Sequence, residues 1–188
     1  MRFIVIDGMD GAGKDTHAEL VREYYKAKGD SVLVRSHPTD DNVYGRRAKQ
    51  ALLGSGKRDH VKASLYYARD VIRSIRRYYG TVDTFIMVRY LLGVAYLPFP
   101  LAKMLYTVFA TFLPISDYMF FLDAPPEVSL ERVSMRREQE MFETLEGLQE
   151  VREKALRLVP GWYIIDTDRP IEETHTEIVD ILQQLDEE

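Results

Sequence analysis

The chain has 188 residues, 46% hydrophobic and 11% aromatic, enough to bury one sizeable core and too few for two, so a single domain over residues 1–188 is expected. A net charge of -5 excludes a broad basic field, and with it nucleic acid as the main partner. The absence of cysteine excludes disulfides, thiolate metal ligands and thiol nucleophiles.

In chain order, Arg2 to Asp7 (RFIVID) reads as a strand that runs straight into a glycine turn. It lacks the apolar core and cleavage site of a secretory signal, so a cytoplasmic protein is the simplest expectation. A helix near 14–29 ends at Gly29, and Ser31 to Ser36 reads as a second strand. Helices near 43–53 and 60–79 follow, the latter closed by Gly80, then a strand from Phe85 to Val88. In the helix over 60–79, Val61, Leu65, Ala68, Ile72 and Ile75 form the expected core stripe, with Tyr66, Asp70, Arg73 and Arg77 on another face.

Between Leu91 and Leu113 the only charge is Lys103, yet Pro98 and Pro100 interrupt the run. The helix left over 101–113 is about 20 Å long against a hydrocarbon thickness of about 30 Å. We therefore expect no membrane partner, and a buried or dimer-forming helix instead. Tyr118 to Asp123 and Trp162 to Asp166 complete the strands, with helices near 126–138, 140–157 and 170–186; Pro126 and Pro170 suit first helical turns. Strands this continuously apolar belong in a parallel sheet covered on both faces, and the βαβ alternation gives an α/β fold.

Strand, glycine turn and helix frame the stretch GMDGAGKDTHAEL, residues 8–20. Gly8, Gly11 and Gly13 let the backbone curl so that successive N–H groups point inward, the next helix adds its positive end, and Lys14 spans the outer phosphates. Asp15 stands where the phosphate-loop pattern has a small hydroxyl residue, and Thr16 follows it. A carboxylate about 5 Å from a phosphate charge repels it by roughly 3 kcal/mol at an effective dielectric of about 20. Its gain at a helix amino end is only about 0.3–1 kcal/mol. Only a cation between the two reverses the sign.

Residues 8–16 resemble the loop of nucleoside monophosphate kinases, and nearly the whole chain resembles the thymidylate kinases. The segments that carry this are RSHPTDDNVYGRRAKQALL, FIMVRYLLGVAY, YMFFLDAPPEVSLERVSMRR and YIIDTDRPIEETHTEI. The resemblance implies a P-loop NTPase fold, three layers α/β/α about a five-stranded parallel sheet of order 2-3-1-4-5, with a short helical lid at about 132–142. It further implies ATP and Mg2+ as cofactors, transfer of the γ-phosphoryl group to a nucleoside monophosphate with dTMP the first expectation, and a homodimer.

Residue by residue, it implies that Lys14 holds the outer phosphates with the loop residues Gly8, Asp10, Gly11, Gly13, Asp15 and Thr16. Asp10 is also expected to approach the acceptor sugar, and Arg89 to grip the acceptor phosphate. Tyr66 matches the aromatic that stacks on the base, Arg132 and Arg136 the lid arginines that close on the transferring phosphate. Three positions depart from the family pattern. Asp70 stands where a base-reading arginine belongs, with Arg69 beside it, and a one-residue shift turns a helical side chain by about 100°. Val88 replaces the aspartate that supports magnesium. Asp15 replaces the hydroxyl ligand, so we expect Asp15, with Thr16, to serve the metal. A P-loop kinase for another small acceptor and a noncatalytic nucleotide-binding protein remain alternatives. Asp123 and His37 are read as structural.

Overall fold

The computed structural model describes residues 1–54, 57–135 and 144–187. Its strands are β1 (Arg2–Gly8), β2 (Val32–Ser36), β3 (Thr84–Val88), β4 (Met119–Asp123) and β5 (Tyr163–Asp166). They form one parallel sheet in the order β2-β3-β1-β4-β5, which matches the expected topology. The described helices are α1 (Lys14–Ala27), α2 (Val43–Leu52), α3 (Lys57–Tyr78), α4 (Phe99–Phe112), α5 (Pro126–Ser134), α6 (Leu145–Leu158) and α7 (Ile171–Glu187). A 3-10 turn, Leu92–Tyr96, lies between β3 and α4.

The period-two alternation of a strand sorts side chains between the two faces of the sheet. Ile4, Ile6, Ile86 and Val88 pack with Val21 of α1 and with Ile178 and Leu182 of α7. Phe3, Val5, Phe85 and Met87 pack on the opposite face with Val71 of α3 and Phe109 of α4. Both faces are covered, so the central strands are apolar without interruption from Phe3 to Ile6 in β1 and from Phe85 to Val88 in β3. A further apolar cluster joins the 3-10 turn, α4 and α6 through Leu92, Val94, Ala102, Val151 and Ala155. The ends of β1, β2 and β3 at residues 8, 36 and 88 thus lie along one edge of the sheet, where ligands of such sheets bind.

Three expectations need correction. The inward face of α3 carries Ala63, Asp70, Val71 and Ser74, all buried, whereas Val61 is 58% and Leu65 53% exposed. Of the stripe expected on α3, Ile75 packs against the core, but the buried side is turned by roughly a third of a revolution toward Ala63, Asp70, Val71 and Ser74, two of them polar. Helix α5 ends at Ser134 rather than near 138, and α6 begins at Leu145 rather than near 140. Of the expected lid, residues 136–143 lie outside the described residues, Arg136 among them.

Candidate active site

The loop between β1 and α1 is shaped by close approach. Gly11 has φ +83, and a Cβ there would stand 2.5 Å from the carbonyl oxygen of Ser129, so only glycine fits. Gly13, also left-handed at φ 80, is the amino cap of α1. Lys14 is only 3% exposed. Its ammonium donates to the Met9 carbonyl and lies 3.8 Å from Asp10 Oδ1. Burial pulls its pKa down to about 8, and the nearby Arg89 guanidinium pulls in the same direction against Asp10, Asp7 and Asp15.

Arg89 follows β3 with φ 56, a left-handed conformation that costs a non-glycine residue roughly 1–2 kcal/mol. The surrounding bonds hold it there. Its N–H donates to the Ile6 carbonyl at 3.2 Å, and its own carbonyl accepts from the Tyr67 hydroxyl. The next three N–H groups, of Tyr90, Leu91 and Leu92, all donate to Asp7 Oδ2 at 2.9, 3.1 and 3.0 Å. Asp7 was not among the expected site residues. Its only signal was a carboxylate ending an otherwise apolar central strand, and burial raises its pKa although those donors oppose the shift.

The guanidinium of Arg89 lies among two carboxylates and a hydroxyl. It donates to Asp15 Oδ2 at 3.1 Å, Ser36 Oγ at 3.2 Å and Asp10 Oδ1 at 3.4 Å. Ser36 in turn donates to Asp15 Oδ1 at 2.6 Å, and the Tyr96 hydroxyl to Asp10 Oδ2 at 2.6 Å. Desolvation works to raise the pKa of Asp15, but Arg89 and Ser36 outweigh it and hold the carboxyl below its ordinary range. Burial likewise works against the charge on Arg89, and Asp10 and Asp15 more than compensate, raising its pKa. Ser36 and Tyr96 were also missed by sequence reading, since an isolated hydroxyl carries no spacing signal.

The structure brings together Lys14, Asp10, Asp15 and Arg89, and separates others. Asp70 is fully buried and accepts from Thr39 N at 2.7 Å, Thr39 Oγ1 at 2.8 Å and Asn42 Nδ2 at 2.6 Å. It ties α3 to the β2–α2 loop and does not line the cavity. Tyr66 does not line it either; its ring lies beneath the Arg47 guanidinium, 5.6 Å from centroid to carbon, whereas its neighbour Tyr67 lines the cavity with Tyr90 and Tyr96. Arg132 donates to the Gly11 carbonyl at 3.3 Å and the Thr167 carbonyl at 2.9 Å, so it braces the phosphate loop. Thr16 is exposed one residue beyond Asp15. As expected, Asp123 is structural, paired through both oxygens with Arg152 at 2.7 Å, and His37 is a satisfied histidine between Ser74 Oγ at 2.9 Å and the Val88 carbonyl at 3.3 Å.

A cavity of about 730 Å³ opens beside these groups. Asp10, Asp15, Ser36 and Arg89 line its polar end, and α3, the 3-10 turn, α4 and α6 supply its other walls.

A family model described as thymidylate kinase matches residues 6–178. The chain belongs to the thymidylate kinase family. A probable thymidylate kinase of Thermococcus onnurineus is 30% identical over 96% of this chain and 97% of its own. The thymidylate kinase of Akkermansia muciniphila is also 30% identical, over 92% of this chain and 86% of its own. The solved thymidylate kinase of Candida albicans superposes with a TM-score of 0.75 over 98% of this chain and 92% of its own, at 18% identity, and so shares the fold. As a member of the thymidylate kinase family the chain is a phosphotransferase.

Proposed function

We propose that this thymidylate kinase family member transfers the γ-phosphoryl group of ATP to a nucleoside monophosphate, dTMP in the first place. The observation that carries the reading is the convergence of two cations on one carboxylate: Lys14 at the start of α1 lies 3.8 Å and Arg89 after β3 lies 3.4 Å from Asp10 Oδ1, and Asp10 and Arg89 line the polar end of the cavity. Phosphoryl transfer needs positioning and charge neutralisation more than covalent help. The curled loop and Lys14 suit the polyphosphate of ATP. Arg89, aimed by Asp7 and steadied by Asp10 and Asp15, suits the acceptor phosphate, and its planar fork can engage two oxygens at once. Asp10, which accepts from Tyr96, suits the acceptor sugar. Arg132 keeps the loop in shape through Gly11.

The family implies Mg2+, and the oxygen donors present fit a hard cation completed by phosphate and water. Asp15, 58% exposed at its side chain, and the exposed hydroxyl of Thr16 would hold it. Bound there, the ion would supply charge neutralisation between the phosphates. In this reading Asp15 keeps Oδ2 on Arg89 and shares Oδ1, which accepts from Ser36, with the metal, and the carboxylate missing at Val88 is replaced from the opposite wall. We further propose that the chain works in the cytoplasm and as a homodimer, the dimer supported by an exposed apolar stripe on and after α4: Met104, Val108, Phe112 and Ile115.

The test is ADP release with ATP and magnesium against a panel of monophosphates and nucleosides. Stimulation by dTMP above all is the expected result. ATP binding without stimulation by any acceptor sinks the reading in favour of a noncatalytic nucleotide-binding protein.

A further inference from the structure

The acceptor reading uses the polar end of the cavity and leaves its inner walls unexplained. Those walls are built from the 3-10 turn, α4 and α6, through Leu92, Val94, Leu97, Leu105, Phe109 and Val151. None of these side chains carries a hydrogen-bonding group. Nearby polar groups are already committed: the Tyr67 hydroxyl to the Arg89 carbonyl, the Tyr90 hydroxyl to the Pro114 carbonyl at 2.9 Å, and Asp7 to three backbone N–H groups. A nucleobase has several polar edge atoms that lose their water on entry and need partners. Against the six apolar side chains it would find none; the remaining polar lining, such as Lys49 of α2 and Ser64 of α3, belongs to other elements, and the Tyr67 and Tyr90 hydroxyls can only accept. A hydrocarbon chain needs no partner and gains from losing water.

Volume points the same way. At about 730 Å³ the cavity is at the upper part of the usual small-ligand range of roughly 300–1,000 Å³, and it is continuous from Arg89 to Val151. One ligand can therefore place an anion at the cationic end and a long apolar body at the other.

We propose that this chain has a second class of acceptor: monophosphate esters of aliphatic alcohols, isoprenoid in shape, whose phosphate sits at Arg89 and whose chain fills the annex between the 3-10 turn, α4 and α6. The step is the one already proposed, on which this inference rests for its phosphate end. An oxygen of the acceptor phosphate forms a bond to Pγ, the bond from Pγ to the β,γ-bridging oxygen breaks, and ADP leaves with that electron pair. The products are ADP and the acceptor diphosphate. A dianionic acceptor has no proton to lose, and no redox partner is involved.

The purified full chain, given ATP and magnesium, is assayed for ADP release and for the diphosphate product with dTMP and with isopentenyl, geranyl and farnesyl monophosphates. A buried methylene group is worth about fourfold in affinity, so the expected result is a KM that falls at least about tenfold for each added isoprene unit until the annex is full. Leu97→Gln, on the annex wall, should raise the KM for geranyl monophosphate by about tenfold and leave the KM for dTMP unchanged, which also shows that the variant is folded. Turnover of prenyl monophosphates without turnover of dTMP supports the annex and replaces the first acceptor. Turnover of dTMP with all three prenyl monophosphates inert, or with no dependence on chain length, overturns the inference and leaves the dTMP reading standing. Failure of every acceptor overturns both.

Discussion

Asp15 is the side chain through which the proposed metal site can be tested. It accepts from Ser36 and pairs with Arg89, so it neutralises that arginine while lying beside the β1–α1 loop. If it has taken over metal support, Asp15→Ser should lower magnesium affinity in the presence of ATP by at least about tenfold, the scale seen when groups that support a metal are removed. Adding Val88→Asp should recover part of it. Unchanged magnesium-dependent turnover in Asp15→Ser alone would end the idea. Lys14 makes a separate prediction. With a pKa near 8 in the free protein, it is mostly charged at pH 7 and about one-tenth charged at pH 9. Polyphosphate binding selects the charged form, so ADP affinity should fall roughly tenfold from pH 7 to pH 9, measured by calorimetry. A flat profile would place the lysine away from the phosphates. The opposite sign holds for stability: the unfolded chain binds this proton up to about pH 10.5, so the Lys14 contribution to stability rises with pH above 8.

At the scale of elements, α3 and α4 were read with unequal success. Periodicity alone could not orient α3, because Asp70 and Ser74 are buried against the β2–α2 loop and β3 while Val61 and Leu65 face outward. Polar residues on an inward face look like a solvent face until their partners, Thr39, Asn42 and His37, are known. Helix α4 was legible because its prolines stop a membrane-length run; no described helix is long and apolar enough to cross a membrane. Its outward side is unusually apolar, with Met104 55% and Phe112 81% exposed, and Ile115 just beyond it is 60% exposed. A two-fold contact would bury this stripe against its own copy. We expect a dimer by light scattering at about micromolar concentration and a monomer for Phe112→Glu, with the helical signal retained. A monomeric parent protein would remove the proposal.

For the whole molecule, two buried histidines tie stability to pH. Burial pulls His17 to about 4, helped by His175 and Arg132. Burial also pulls His37 to about 4, although Asp70 pulls the other way. Both values lie below 6.5 in the unfolded chain, so the unfolded state binds more protons between pH 6.5 and 4. Their contribution is full above pH 6.5 and is lost as pH falls, to the order of 3 kcal/mol each. The melting temperature should therefore drop by roughly 10 °C between pH 6.5 and 4.5. The double variant His17→Asn, His37→Asn should flatten that limb whatever its absolute stability. A limb of unchanged slope would assign the acid sensitivity elsewhere.

The fold class, the parallel sheet, the phosphate loop and the place of Lys14 and Arg89 were all present in the sequence, because each rests on local spacing: apolar runs, glycines, and a cation just past a strand. Which groups steady them was decided only by tertiary structure. Ser36 and Tyr67 reach Arg89, Tyr96 reaches Asp10 and Asp7 reaches the backbone after Arg89 across 22 to 86 residues, and no local pattern encodes such a meeting. The same holds for the annex. Its walls come from three elements that one-dimensional hydrophobicity marks only as core, and a cavity is a property of how they fail to meet.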